Sequence, residues 1–295
     1  MFQPLWQQEG IVQCGPRLQD APGSLWVRRA EVSEIRAALQ RRGHRESGVL
    51  VHYTDPFLMR SLPLLGLRDW IGPRLLVCGD LHHGPEPIPT LDAYLREQPH
   101  HSVLLAFNPI LLDEVRRQIP LPIHCIPPGF FRYPSRSRSR QPSKKLVHVG
   151  SLGPHHRQRS SIVDLLMKRG RIPFEHFTTQ TPEEAAEIYA SHALVLNIPL
   201  NNDLNHRFFE IMGAGAPQIV YAGQELLGPL KYLAGRGDVF WCNQIERLEA
   251  LVLELLADPG FADLVAPPPP QIAMFDLLKA CFAPAPGHSL APSPL

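Results

Sequence analysis

Short apolar runs alternate with amphipathic stretches along most of this chain, and that alternation limits the fold more than any single motif. Strand-length runs stand at Leu25–Arg29, Gly48–Tyr53, Arg74–Cys78, Ser102–Phe107 and Pro122–Ile126, with an earlier candidate at Gly10–Cys14. Between them lie helix-period stretches: Val32, Ile35 and Leu39 before a stop at Gly43, a helix around 90–97, and Leu111–Gln118. Asp55–Leu65 also reads as helical, interrupted by Pro63. A second series follows, with strands at Leu146–Val149, Pro173–Phe177, Ala193–Ile198, the run ending at Tyr221, and Asp238–Trp241. Strands that alternate with helices at this spacing imply parallel βαβ units. Such sheets bind ligands at the carboxyl ends of their strands.

Between the two series lies PPGFFRYPSRSRSRQPSKK, a linker by composition. With 295 residues the chain is long enough for two domains. We expect an N-terminal Rossmann-like domain over 1–130, a basic linker over 131–145, a C-terminal Rossmann-like domain over 146–266, and a Pro-rich segment over 267–295 that holds a helix at Ile272–Phe282. The linker carries Arg132, Arg136, Arg138, Arg140, Lys144 and Lys145. It reads first as a solvated hinge and second as a phosphate or peripheral anionic-membrane contact. A net charge of +1 gives no basic excess for nucleic acid. The five cysteines are scattered with no C-x-x-C, which argues against a zinc site or disulfide framework. MFQPLWQQEG lacks the basic start and apolar core of a signal peptide, and no apolar run reaches the ~18 residues of a membrane span. The expected location is cytoplasmic.

The stretch with most chemical content is ALVLNIPLNNDLNHRFFEIMGAGAPQIVY, 193–221. It reads as strand, polar loop, helix, glycine stop, strand. Leu200–Asp203 is placed to cap the helix. At 100° per residue Leu204, Phe208, Ile211, Met212 and Gly215 share one face, with Asp203, Arg207 and Glu210 opposite. Gly213, Gly215 and Pro217 end the helix. A strand feeding a helix N-terminus makes an anion site, because free N–H groups point out of the first turn. Asn205 and Arg207 sit in that turn, and Glu210 lies one turn on. Arginine for phosphate oxygens and glutamate for sugar hydroxyls would together hold a nucleotide. The same residues also read as an N-cap and an ordinary surface Arg–Glu pair.

After the first strand of the C-terminal series comes Gly150-Ser151-Leu152-Gly153 and then a helix. A lone G-x-x-G is most often a turn, but in this place it suits a phosphate loop. Arg157 and Arg159 follow, although a helix N-terminus is a poor place for cations. Thr181-Pro182-Glu183-Glu184 is a capping box with proline at the first helical position.

The run NDLNHRFFEIMGAGAP, preceded by PEEAAEIYASHALVLNIPL, resembles the C-terminal domain of the group-1-like, spore-maturation-type (CgeB-like) glycosyltransferases of the GT-B fold. The resemblance covers roughly residues 144–257. It implies an α/β protein of two Rossmann-like domains facing across a cleft, here with a trimmed N-terminal domain. It implies transfer of a sugar from a nucleotide-diphosphate sugar to an unknown acceptor, a hexosyltransferase-like activity with no further cofactor. Gly150, Ser151, Gly153, Arg159, Asn205, Arg207 and Glu210 would form the donor site, with Arg159 favoured over Arg157 by the family pattern. In the wider retaining group an acidic residue stands eight positions before the helix glutamate; here that position is Asn202, with Asp203 beside it. No Asp-x-Asp pair occurs, which fits a metal-independent route in which fixed dipoles and cations stabilise the leaving diphosphate.

On the acceptor side the loop Asp80-Leu81-His82-His83 ends a strand, and Asp80 and His82 are the candidate catalytic bases. They also read as a loop cap and exposed histidines. Gly-Asp-Leu-His-His-Gly superficially resembles a metallophosphoesterase block, but the further metal blocks of that family are missing. A nucleotide-sugar-binding module without transfer activity is the remaining alternative, ahead of a non-hydrolysing epimerase.

Overall fold

The computed structural model describes residues 10–44, 48–55, 63–79, 81, 86–125, 133–200, 204–223, 236–269 and 273–282. The chain divides into two compact units, one of Pro4–Phe130 with Ile272–Leu295 and one containing Phe131–Gln271.

The first unit opens with a parallel pair, β1 (Gln13–Gly15) and β2 (Ser24–Trp26), followed by helix α1 (Val32–Arg41). Strands β3 (Leu50–Thr54), β4 (Arg74–Cys78), β5 (Ser102–Leu105) and β6 (Ile123–Cys125) then form one all-parallel sheet in chain order. Helices α2 (Pro87–Glu97) and α3 (Leu112–Gln118) connect the later strands. Their Leu91, Tyr94, Leu95 and Val115 pack on Leu76, Val103, Leu105 and Ile123. β5 is buried along its length, as a parallel strand covered on both faces should be. Most of the helix expected at 55–65 lies outside the described residues; of it, 63–65 is not helical.

In the second unit β7 (Ser143–Val149), β8 (Phe174–Phe177), β9 (His192–Asn197), β10 (Gln218–Tyr221) and β11 (Val239–Cys242) form a parallel sheet in the order β11-β10-β9-β7-β8. Helices α4 (Arg157–Arg169) and α7 (Ile245–Ala257) cover one face. Helices α5 (Pro182–Ser191) and α6 (His206–Gly213) cover the other. The connections leave β7 in opposite directions, so the strand order reverses between β7 and β9. In an open parallel sheet such a reversal parts the loops beyond the carboxyl ends and leaves a crevice there.

The capping box forms as its residues demand: Thr181 Oγ1 accepts from Glu184 N–H at 3.2 Å and Glu184 Oε2 accepts from Gln180 N–H at 2.9 Å. Helix α6 buries Phe208, Phe209, Ile211 and Met212. Each contributes about 1.5–3 kcal/mol when taken from water. The helix ends at Gly213, with Gly215 left-handed at φ +68° just beyond.

Strand β7 starts at Ser143, inside the segment read as linker. The residues before it are not the solvated hinge expected from composition. Arg138 is half-buried and donates from Nη1 and Nη2 to the carbonyls of His192 and Ala193, both at 2.8 Å. Arg136 N–H donates to the Gly213 carbonyl and Ser139 N–H to that of Ala190. Tyr133 stacks on Phe209 at 5.6 Å, which explains why α6 is buried on more than its one apolar face. Arg140 and Lys144 stay exposed.

The last described helix, α8 (Met274–Phe282), belongs to the first unit, where it buries Leu277 and Cys281.

Candidate functional site

The crevice beyond β7 and β9 is where the cationic side chains gather. β7 ends at Val149, and the chain turns at Gly150 with φ +156°, a conformation that favours glycine. A Cβ on Gly150 would lie 2.6 Å from Arg207 Nη2 and 3.2 Å from Arg207 Cζ. A side chain there would force the guanidinium of α6 to shift from its place against the loop that leaves β7. Gly153, by contrast, has open space where a Cβ would stand, so sterics do not demand glycine there. Ser151 is exposed.

Arg159 is buried at 6% exposure despite its charge and its place in the first turn of α4. Its Nη1 lies 3.5 Å from the Ser151 carbonyl and its Nη2 3.4 Å from that of Ile198, so it ties together the loops after β7 and β9. Arg157 is exposed. Tyr189 of α5 is buried, is hydrogen bonded to Arg207, and has its hydroxyl pKa pushed up to about 12 chiefly by burial. Glu210 is half-buried; burial raises its pKa, and Arg207 offsets part of that rise.

Asn205 serves the fold. It is the N-cap of α6, a position expected at Leu200–Asp203, and its Oδ1 accepts from Phe208 N–H at 3.1 Å. Its Nδ2 donates to Asn197 Oδ1 at 3.2 Å, and the network runs on through Gln218 to the Phe208 carbonyl. The structure therefore brings Gly150, Arg159 and Arg207 together, with Glu210 one turn along. It engages the Asn205 amide at both ends, Oδ1 on the cap and Nδ2 on Asn197. Asn202 and Asp203 lie outside the described residues.

An open depression of about 470 Å³ beside the glycine loop is lined by residues that include Gly153, Arg157, Ser161 and Asp164. None of Arg159, Arg207 and Glu210 lines it, so it is separate from the cationic cluster.

Sequence reasoning missed two members of this cluster, Tyr189 and His148. The signal for His148 was present: a polar residue inside the buried run LVHV. Tyr189 in its helix carried no such mark.

In the first unit Asp80, His82 and His83 lie outside the described residues. Their neighbours are firmly held. Gly79 N–H donates to the Thr54 carbonyl at 2.9 Å, and Leu81 N–H donates to Asn108 Oδ1 at 2.7 Å. A Cβ on Gly79 would collide with the carboxylate of Asp55, so this glycine admits an acid that sequence reasoning passed over. Among the described residues no group of three or more His, Cys, Asp or Glu could hold a metal ion. No helix among them is long and apolar enough to cross a membrane.

Residues 138–266 match a family model described as glycosyl transferase-like. No curated protein matches the chain. Among solved structures TarM aligns with a TM-score of 0.53 and 11% identity over 78% of this chain and 52% of its own. Sucrose-phosphate synthase from Thermosynechococcus elongatus aligns with a TM-score of 0.50 and 13% identity over 79% of this chain and 69% of its own. The chain thus spans about half the length of TarM. At these identities the likeness is one of fold: mixed α/β with parallel sheets, as in GT-B glycosyltransferases.

Proposed function

We propose that this chain is a GT-B glycosyltransferase of the spore-maturation-type group, moving a sugar from a nucleotide-diphosphate sugar to a separate acceptor. The observation that carries the reading is the Arg207 guanidinium lying on Gly150 at the strand-order reversal of a glycosyl transferase-like domain. Two arginines from the first turns of different helices converge there, as neutralising a leaving diphosphate requires. In this reading Gly150 and Ser151 approach the diphosphate by their backbone, and Arg207 meets its oxygens as a fork. Arg159 holds the two loops in register and adds positive potential. Glu210 takes the ribose hydroxyls, and its raised pKa suits an acid held in a poorly solvated place. Asp80 or His82 is proposed as the base that takes the acceptor proton. The location proposed is cytoplasmic.

A panel of nucleotide-diphosphate sugars screened by thermal shift tests this reading, because a ligand that binds the folded state stabilises it by linkage. One or more should raise the melting temperature, and titration calorimetry should then show Arg207→Ala weakening that ligand by roughly 1.5–3 kcal/mol. Circular dichroism should be unchanged. Wild-type affinity in a folded Arg207→Ala protein would return the arginine to a purely structural role. Donor binding with no turnover on any acceptor would favour the binding-module alternative.

Transfer or donor hydrolysis is also expected to survive excess EDTA, since the sequence holds no Asp-x-Asp pair. Activity abolished by EDTA and restored by manganese or magnesium would sink the assignment of charge neutralisation to Arg207 and Arg159.

A further inference from the structure

A polar ring in the buried end of β7, among Leu146, Val147 and Val149, needs a physical reason. His148 is fully buried, and its Nδ1 stands 2.9 Å from the Leu196 carbonyl. A carbonyl only accepts, so Nδ1 carries the proton and Nε2 of the neutral ring is a bare acceptor. The ring stays neutral because burial holds its pKa well below the usual value. Arg207, Arg159 and His176 all push the same way. His176 stacks on it at 5.6 Å and donates from Nδ1 to the His148 carbonyl at 3.3 Å.

His148 Nε2 is buried and has no hydrogen-bond partner. It lies 3.4 Å from the point where a Cβ on Gly150 would stand, and Arg207 Nη2 lies 2.6 Å from that same point. The Nε–H of Arg207 is likewise buried and without a partner. The bare acceptor of His148 and the guanidinium of Arg207 therefore flank one glycine, and that guanidinium carries an unpaired Nε–H. Buried polar groups left in this way destabilise the state that leaves them so, and a state that pairs them is favoured.

We propose that His148 is a positioning residue for Arg207, its Nε2 accepting the Arg207 Nε–H when the guanidinium turns its two terminal nitrogens onto an anionic diphosphate. This rests on the donor-site reading and adds to it the group that sets the orientation of the guanidinium. With Nε–H held from behind, the Nη1 and Nη2 edge is presented as a fork to two phosphate oxygens. The choice of acceptor matters. A carboxylate at this place would neutralise the guanidinium, whereas a neutral imidazole orients it and leaves its whole charge for the ligand.

The test titrates inorganic pyrophosphate and a panel of nucleoside diphosphates into the full chain, unchanged or carrying His148→Asn or His148→Gln. Asparagine keeps an N–H for the Leu196 carbonyl but has nothing at the Nε2 place. Glutamine reaches that place with its amide oxygen. His148→Asn should weaken binding roughly ten- to hundredfold with little change in melting temperature, the usual worth of a hydrogen bond to a charged group. His148→Gln should restore most of the affinity. Equal weakening in both, or none in either, overturns the proposal. Should the unchanged chain bind none of these probes, the donor-site reading fails and the proposal, which rests on it, is overturned with it. Losses in the two variants of a binding-competent chain, equal or unequal, bear on the pairing alone.

Discussion

Acidification from pH 7 to pH 4.5 is expected to cost the first unit on the order of 5 kcal/mol of stability, a large share of the 5–15 kcal/mol typical of a domain, and to destabilise the second unit in the same direction. The cause is a set of histidines held neutral by burial. In the first unit His52 and His100 stack at 5.7 Å beside Tyr94, whose hydroxyl lies 3.2 Å from His52 Nδ1. Burial lowers the pKa of His52 to about 3 and that of His100 to about 4, from an ordinary 6.5. The charged groups nearby, Arg74 and His101, push His100 further down. In the second unit His206, hydrogen bonded to Tyr133, is lowered to about 4 by burial, and His148 is lowered as well.

The sign follows from proton counts. Between the folded and unfolded pKa values the unfolded chain binds more protons, so stability is full above pH 6.5 and falls as pH drops toward 4. His52, His100 and His206 each remove about 1.4 kcal/mol per pH unit in that window. Glu210 works in the opposite sense, because its folded pKa is raised, and it offsets a minor part of the loss. Denaturant melts at pH 7, 6, 5 and 4.5 measure the effect. Equal stability at pH 7 and pH 5 would show that these rings do not remain neutral in the folded chain.

Replacing Asp80 by Asn, or His82 by Ala, should cut turnover by about 10²–10⁴ and leave donor affinity nearly intact. The two readouts separate because the residues proposed for the donor site, Gly150, Arg159, Arg207 and Glu210, all belong to the second unit. The loop that carries Asp80 leaves the carboxyl end of β4, where ligands meet parallel sheets. Gly79 and Leu81 on either side of Asp80 are tied to Thr54 and Asn108, so the substitution tests chemistry more than loop stability. Calorimetric titration of the donor, run beside donor hydrolysis or transfer, decides the matter. Equal losses in affinity and turnover would place these residues in donor binding or folding. Unchanged turnover in both variants would point to another base, and Asp55, packed on Gly79, is the next to replace.

What could be read from the chain alone follows from local physics. β5 and β9 are buried on both faces, and their runs SVLL and HALVLN are almost unbroken apolar sequence. Thr181 and Glu184 are three residues apart and declare their helix start without help from the rest of the fold. The convergence of Gly150 with Arg207 was within reach because each stands where a strand hands over to a helix. Contacts made over long separations left no local trace. Arg138 meets carbonyls 54 and 55 residues away, so its run of arginines reads as a solvated hinge until β9 is in place. Asn205 looked like a ligand contact because an amide near a helix start suits either task. Only the fold shows the amide also engaged by Asn197, eight residues upstream, while it caps the helix.

The strap from Tyr133 to Ser143 also settles where this chain can be divided. By its ties to α5, α6 and β9 it is part of the second unit's own architecture. Recombination that grafted a foreign partner onto Leu146 would strip Arg138 from two strand carbonyls and bare one side of Phe209. A junction placed before Tyr133 keeps those contacts. The glycosyl transferase-like half is thus exchangeable as a module only when it carries this leader with it.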